Sequence, residues 1–131
     1  MKDHRDRFIL ILAGYTKDMQ FLLQSNTGFE SRIKEYLYFP DYNDSEMKQI
    51  FVLMAKQMGF IVSDDALDAF RERITKERML PSFGNGRTAR NILDESIDRH
   101  CLNYLDKKLN KKEQYCICEI DISRDIKRNG F

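Results

Sequence analysis

Apolar residues recur at intervals of three and four from residue 41 to about residue 109. This spacing places them on one face of an α-helix, and three such segments follow one another along the chain. An apolar helix face has to be covered, so the three faces are expected to pack on one another. The pattern predicts a bundle of three amphipathic helices.

The predicted helices have recognisable ends. Asn43 with Glu46 three positions later forms a capping-box pattern, and Gly59 ends that helix. Ser63 begins the second helix, and residues 84–87 open the third, which is predicted to run to about residue 109. The predicted buried faces are Met47, Ile50, Phe51, Met54 and Met58 in the first helix, Ala66, Leu67, Phe70 and Ile74 in the second, and Ile92, Leu93, Ser96, Ile97, Cys101, Tyr104 and Leu105 in the third.

The first forty residues have a different character. Residues 8–13 form a continuous apolar run, typical of a strand buried on both faces of a parallel sheet. Thr16 begins a predicted short helix, and residues 33–39 form a second predicted strand that Pro40 ends. Since a buried strand needs neighbours on both sides, we expect a strand-helix-strand remnant of a larger α/β domain.

The predicted fold is therefore mainly α with a small β part. Residues 1–40 are assigned to the remnant of the α/β domain and residues 41–131 to the helical bundle. A short strand over residues 115–120 and a final turn capped by Ser123, with Ile122 and Ile126 pointing inward, complete the predicted second domain.

The composition favours one modest core in an intracellular protein. The chain has 131 residues, of which 42% are hydrophobic, and its 22 Lys and Arg nearly balance its 21 Asp and Glu. No net field would attract a nucleic acid or an anionic membrane, and residues 8–13 are too few to cross a bilayer. The three cysteines, Cys101, Cys116 and Cys118, without a secretory signal, favour reduced thiols and a cytoplasmic location.

The chain lacks the sequence motifs of several kinds of functional site. The chain has no G-x-x-x-x-G-K-[ST] loop to hold a triphosphate and Mg²⁺. Cys116 and Cys118 have the wrong spacing for a zinc ribbon, and only His4 and His100 could complete a site, so no metal site is predicted. The basic run at residues 107–112 has no interleaved aromatic residues, which does not favour a nucleic-acid partner.

Two arginines stand out. Residues 83–91, Phe-Gly-Asn-Gly-Arg-Thr-Ala-Arg-Asn, place Arg87 in the first turn of a helix, where the dipole disfavours a cation unless an anion is nearby. A phosphate contact would remove this conflict, and the alternative is an exposed arginine after a glycine-rich turn. Arg32 is predicted at the start of a buried strand, anchored to reach outwards, unless it only solvates the strand end or pairs with Glu35.

Four segments taken in order resemble one family. Residues 8–15, 26–33, 39–42 and 83–91 are similar to the C-terminal part of an AAA+ ATPase, of the branch that contains stage V sporulation protein K and the CbbX-type red rubisco activases. The resemblance implies that residues 1–40 end a P-loop domain and that residues 41–131 are its helical lid.

The resemblance also implies roles for individual residues. Arg32 matches the arginine finger, which acts in trans on the nucleotide of a neighbouring subunit. Arg87 matches the second sensor, which contacts the nucleotide of its own subunit, with Arg90 as an alternative. Tyr15 occupies the first-sensor position, where the usual Asn is absent and Thr16 is the alternative. The glycine-rich turn of Gly84, Asn85 and Gly86 is implied to bind the cofactor.

The implied cofactors of the full-length protein are ATP and Mg²⁺. The chain by itself, without the Walker A and B motifs, is expected to be inactive and to bind no nucleotide tightly. The implied partners are other copies of the same subunit in a ring, expected to be a hexamer, and a protein substrate that the ring remodels. Two alternatives stay open: a stand-alone helical protein-interaction adaptor, and a helical nucleic-acid-binding domain that uses residues 107–112 and 124–128.

Overall fold

A computed structural model describes residues 8–126 of the chain. The chain divides into two compact units, the first ending at Phe39 and the second beginning at Pro40. The first unit contains helices α1 (Thr16–Ser25) and α2 (Thr27–Arg32), neither of which buries a residue. The side chain of Asn26 caps α2 by accepting a hydrogen bond of 3.2 Å from the backbone N–H of Gly28.

The two strands predicted in this unit are not formed. Residues 8–13 and 33–39 have no regular secondary structure, and Arg32 is the exposed last residue of α2 rather than the start of a buried strand. A strand is held by hydrogen bonds to its neighbours. Within residues 8–126 the strand pairing joins residues 61–62 to 116–117, so these apolar segments have no strand beside them.

Three helices dominate the second unit: α3 (Asp44–Gln57), α4 (Asp64–Glu77) and α5 (Gly86–Leu105). The predicted capping box is present, with Glu46 N donating to Asn43 Oδ1 at 2.8 Å and Asn43 N donating to Glu46 Oε1 at 3.1 Å. Ser63 caps α4 by accepting from Ala66 N at 3.2 Å. These side-chain acceptors satisfy backbone donors that a helix leaves unpaired at its start, and both predicted helix starts are confirmed.

The small β part lies in the second unit. Strands β1 (Ile61–Val62) and β2 (Cys116–Ile117) are parallel, with Ile61 opposite Cys116 and Val62 opposite Ile117. The fold class, mainly α with a small β part, is confirmed. The strand predicted over residues 115–120 is shorter, because a 3₁₀ turn at Glu119–Asp121 follows it closely.

The core forms where α3, α4 and α5 meet. The rings of Phe51 and Phe70 stack with their centroids 4.2 Å apart, and burying each such ring contributes about 2 kcal/mol to stability. Ala55 and Ala69 are fully buried in the same core. The core comprises Met47, Phe51, Ala55, Ala66, Ala69, Phe70, Ile74, Ala89, Ile92, Leu93, Ile117 and Ile122.

Some predicted core positions are wrong, notably at the ends of the helices. Met58, Cys101 and Leu105 are exposed, and α5 ends at Leu105, four residues before its predicted end, followed by Lys107 at a φ of 58°. The hydroxyl of Ser123 donates to the Asp125 carbonyl at 2.8 Å, and residues 123–126 are not helical. The inward-pointing prediction holds for the buried Ile122.

The buried residue at this point of α5 is His100 rather than the predicted Cys101, and it belongs to a polar cluster. His100 Nδ1 lies 2.8 Å from Asp121 Oδ2, and His100 Nε2 lies 2.8 Å from the carbonyl of Gln114. Asp121 also accepts from Asn103 Nδ2 at 2.9 Å and from Cys118 N at 2.8 Å. These hydrogen bonds hold residues 114–121 against α5. All of them join buried or half-buried groups.

Candidate functional site

The glycine-rich turn before α5 presents Arg87 on a fixed backbone. Gly84 N donates to Thr88 Oγ1 at 2.8 Å, and Arg87 N donates to the Gly84 carbonyl at 3.0 Å. Thr88 and Ala89 are buried, whereas Arg87 is exposed. The turn is thus anchored from its inner side while the guanidinium stays at the surface.

The missing side chain of Gly84 makes room for this guanidinium. A Cβ added at Gly84 would lie 2.7 Å from Arg87 Nε and 2.8 Å from Arg87 Nη2, closer than such contacts occur in proteins. The guanidinium therefore rests against the backbone of the turn. A side chain at position 84 would displace it without obstructing the backbone, because the atoms in the way are the far end of a flexible side chain.

Asn85 has an unusual backbone conformation and two tertiary hydrogen bonds. Its φ is 50° and its ψ is −113°, a combination that residues other than glycine rarely adopt. Its Oδ1 accepts from Tyr42 N at 2.9 Å, and its Nδ2 donates to Asp41 Oδ1 at 2.8 Å. The side chain of Asn85 is thus directed to the segment at residues 41–42, although the sequence placed this residue with the cofactor.

Arg78 holds the same segment from the end of α4. Its Nη2 donates to the Tyr42 carbonyl at 2.6 Å and to Asp44 Oδ1 at 3.0 Å, and its guanidinium lies 5.1 Å from the ring centroid of Phe83. Arg78 lies outside the four segments that carry the resemblance, and Asp41 and Tyr42 lie in one of them without a predicted role of their own. Their contacts join positions far apart in the chain, which no local pattern reveals.

A polar cavity of about 250 Å³ lies beside the start of α5. The buried Arg73 binds Glu77 at 2.9 Å, Glu95 at 3.3 Å and the Ser123 carbonyl at 3.1 Å. These two carboxylates outnumber the single guanidinium of Arg73, so the inner part of the cavity does not suit a phosphate. Arg87 belongs to the lining and is the residue there that the sequence singled out. The cavity is lined by Arg73, Glu77, Ser82, Arg87, Thr88, Asn91, Ile92 and Glu95.

Tyr15 and Arg32 belong to the first unit, whereas Arg87 belongs to the second. Tyr15 immediately precedes α1, and its carbonyl accepts from Met19 N at 2.8 Å. Both Tyr15 and Arg32 are exposed. Each is described within its own unit, and the roles given to them by the sequence remain predictions.

The candidates for nucleic-acid and metal binding include His4 and residues 127–128, which lie outside the residues that the structure describes. Arg124, named for the nucleic-acid alternative, forms ion pairs with Glu72 and Glu119, and these two hydrogen bonds raise its pKa. Over residues 8–126, no three His, Cys, Asp or Glu side chains lie close enough to hold a metal ion. The same part of the chain contains no helix both long and apolar enough to span a membrane.

Comparison with protein families gives a match over most of the second unit. The family described as the AAA lid domain matches residues 43–130. This stretch begins at the N-cap of α3 and includes both the glycine-rich turn and the residues of the buried polar cluster.

Curated relatives extend the similarity into the first unit. Protein CfxQ of Xanthobacter flavus is 39% identical over 106 residues, which are 81% of this chain and 33% of that protein. Protein CbbX of Cereibacter sphaeroides is 40% identical over 96 residues, 73% of this chain and 31% of that protein. The chloroplastic ribulose bisphosphate carboxylase/oxygenase activase of Cyanidioschyzon merolae is 32% identical over 110 residues, 84% of this chain and 36% of that protein. The chain thus spans about a third of the length of these relatives.

Proposed function

Since this chain belongs to the AAA lid domain family, we propose that it is the C-terminal part of an AAA+ ATPase. In this proposal it senses bound ATP and couples ATP hydrolysis to the remodelling of a protein substrate. Residues 41–131 form the lid, and residues 1–40 end the domain that carries the phosphate-binding loop. The similarity to CfxQ and CbbX proteins, which reaches into the first unit, supports this assignment.

Arg87 is the residue that carries the proposal. It is exposed in the first turn of α5, on a backbone that the buried Thr88 and Ala89 hold in place. The first turn of a helix attracts anions, and a guanidinium presented there can donate to a phosphate oxygen. Arg87 therefore acts as the second sensor, binding a phosphate of the ATP held by its own subunit, with the backbone of Gly84, Asn85 and Gly86 beside it.

The residues present fit one side of a nucleotide site. Arg87 supplies a bidentate donor and the glycine turn lets backbone approach a ligand, whereas the chain has no phosphate-binding loop. ATP and Mg²⁺ would supply the transferable phosphoryl group and its charge neutralisation. We expect the 131-residue chain alone to bind ATP only weakly. Tight binding in a calorimetric titration would contradict the proposal that this chain holds only one side of the nucleotide site.

The test of the Arg87 assignment compares two neighbouring arginines. In the longer ATPase that contains this chain, Arg87→Ala should reduce ATP turnover at least tenfold or weaken ATP binding by a similar factor. Arg90→Ala is the matched comparison, because Arg90 is the alternative candidate and is exposed on the same helix three residues later. Unchanged turnover and unchanged ATP affinity in the Arg87 variant would refute the assignment, and an effect confined to Arg90→Ala would transfer the role to Arg90.

Arg32 is proposed as the arginine finger, which completes the site of a neighbouring subunit, and Tyr15 as the first-sensor residue. Subunits with Arg32→Ala can be mixed with subunits that cannot bind ATP. If Arg32 acts in trans, activity should return where an intact Arg32 faces an intact ATP site. Strictly additive rates across the mixing series would argue against this role.

The proposed assembly is a ring, and the resemblance noted in the sequence implies a hexamer. The exposed Cys101 and the half-buried Cys116 and Cys118 are free thiols, which supports the proposal of a cytoplasmic location. Sedimentation of the longer ATPase with ATP should give the mass of six subunits. A monomer under all nucleotide conditions would favour the alternative of an adaptor.

A further inference from the structure

We propose that Asn85 is a positioning residue that ties residues 41–44, the start of the second unit, to the turn that carries Arg87. We call its two hydrogen bonds, to Tyr42 N and to Asp41 Oδ1, the Asn85 latch. This inference rests on the proposed function of Arg87 and adds a route by which a phosphate contact at Arg87 reaches residues 41–44 of the second unit.

The latch uses both ends of the Asn85 amide. Oδ1 accepts from Tyr42 N at 2.9 Å, and Nδ2 donates to Asp41 Oδ1 at 2.8 Å. The carboxylate of Asp41 can only accept and the backbone N–H of Tyr42 can only donate. An amide side chain satisfies both partners, because it carries an acceptor oxygen and a donor nitrogen. The two partners also fix which end of the amide faces each of them.

The backbone at Asn85 supports a specific role for this side chain. With φ at 50° and ψ at −113°, position 85 has a conformation that glycine adopts at lower cost. Gly84 and Gly86 on either side show that the turn accommodates glycine. An asparagine at this position is consistent with a side chain whose hydrogen bonds offset the backbone strain.

The peptide groups of Tyr42 are held from two directions. Its N–H donates to Asn85 at the start of α5, and its carbonyl accepts from Arg78 Nη2 at 2.6 Å at the end of α4. Arg78 also binds Asp44 Oδ1 at 3.0 Å. Residues 42–44 are thus fixed to the two helices that flank the glycine turn.

The latch and Arg87 share one backbone turn. Arg87 N donates to the Gly84 carbonyl at 3.0 Å, and Ala89 N donates to the Asn85 carbonyl at 3.0 Å. A displacement of the first turn of α5 would move Asn85 and, through the latch, Tyr42. A phosphate contact at Arg87 that shifts this turn is therefore transmitted to Tyr42, within the second unit.

The first experiment exchanges the donor and the acceptor within the latch. Asn85→Asp opposes two carboxylates at positions 41 and 85, whereas the double variant Asp41→Asn with Asn85→Asp lets an amide donate to a carboxylate again. The readout in the 131-residue chain is the hydrogen-exchange rate of the Tyr42 amide by NMR. We expect about tenfold faster exchange in Asn85→Asp and recovery in the double variant. Asp41→Asn alone is the control, because it keeps an acceptor oxygen.

A second variant guards against misfolding. Asn85→Gly removes both side-chain hydrogen bonds but tolerates the positive φ, so the fold should survive while the Tyr42 amide loses its protection. Unchanged exchange of the Tyr42 amide in both Asn85→Gly and Asn85→Asp would overturn the latch.

The second experiment measures ATP affinity in the longer ATPase. We expect Asn85→Asp to weaken ATP binding by at least fivefold and the double variant to restore it. The thermal unfolding midpoints of both variants should stay close to that of the parent protein. If Arg87→Ala weakens ATP binding but Asn85→Asp does not, despite a released Tyr42 amide, the coupling is wrong and the sensor role stands. If Arg87→Ala has no effect, the proposed function fails and the coupling fails with it.

Discussion

The acidity of single side chains depends on their surroundings, as Cys118 illustrates. Burial raises the pKa of its thiol, and a hydrogen bond from its Sγ to Glu113 Oε2, at 3.3 Å, raises it further. The carboxyl of Glu113 has a lowered pKa, first because it accepts from the Asn110 backbone and then because of Cys118. In the unfolded chain a cysteine ionises near pH 8.5, so above that pH ionisation favours the unfolded state.

We predict that Cys118 reacts slowly with thiol reagents. Because burial and the contact with Glu113 raise the pKa of Cys118, a smaller fraction of its thiol ionises than in an exposed cysteine, and the thiolate is the reacting species. Alkylation of Cys118 in a Cys101→Ser, Cys116→Ser variant should be at least tenfold slower than that of the exposed Cys101 in a Cys116→Ser, Cys118→Ser variant. Both thiols should react alike in denaturant. Equal rates in the folded variants would show that the surroundings of Cys118 do not hold its proton.

At the scale of secondary-structure elements, local signals were predicted well and long-range pairings were not. The helix starts at Asn43 and Ser63 depend on a cap and the residues just after it, so the sequence contains the whole signal. The strands expected at residues 8–13 and 33–39 depend on neighbouring strands, which an apolar run cannot specify. Position 87 at the start of a helix was predicted for the same local reason, whereas the contact of Asn85 with Asp41 joins two distant segments.

We predict that His100 stabilises the packing of residues 114–121 on α5. Both ring nitrogens face acceptors, and Asp121 is fully buried. His100→Ala would leave this carboxylate without its closest side-chain partner, which should lower the free energy of unfolding by about 3 kcal/mol.

Urea unfolding of the 131-residue chain measures this loss. Cys101→Ala is the matched control, since Cys101 is exposed on the next position of the same helix and its change should stay within about 0.5 kcal/mol of the parent. A similar small effect for His100→Ala would mean that the cluster does not stabilise the second unit.

At the scale of the whole molecule, the stable core belongs to the second unit. The core residues run from Met47 to Ile122, whereas α1 and α2 bury nothing and apolar side chains such as Phe8, Ile9 and Phe39 are exposed. Exposed apolar segments of this kind promote association.

We predict that residues 40–131 fold independently. This fragment should unfold cooperatively, at a midpoint within a few degrees of that of the 131-residue chain, and should sediment as one species. The 131-residue chain should associate increasingly as its concentration rises, because it keeps the apolar segments before Pro40. A fragment that unfolds without cooperativity would show that the first unit is needed for the core.

The parallel pair of β1 and β2 has a consequence for the order of assembly. Ile61 N donates to the Tyr115 carbonyl at 2.9 Å and Ser63 N donates to the Ile117 carbonyl at 3.1 Å, so the pair closes a loop that contains α4 and α5. Closing a long loop costs conformational entropy. The few hydrogen bonds of two short strands do not offset this cost until the helices inside the loop have packed. We expect the amides of Ile61 and Ser63 to gain exchange protection after those of α4 in pulse-labelled refolding; earlier protection would make this pair the nucleus.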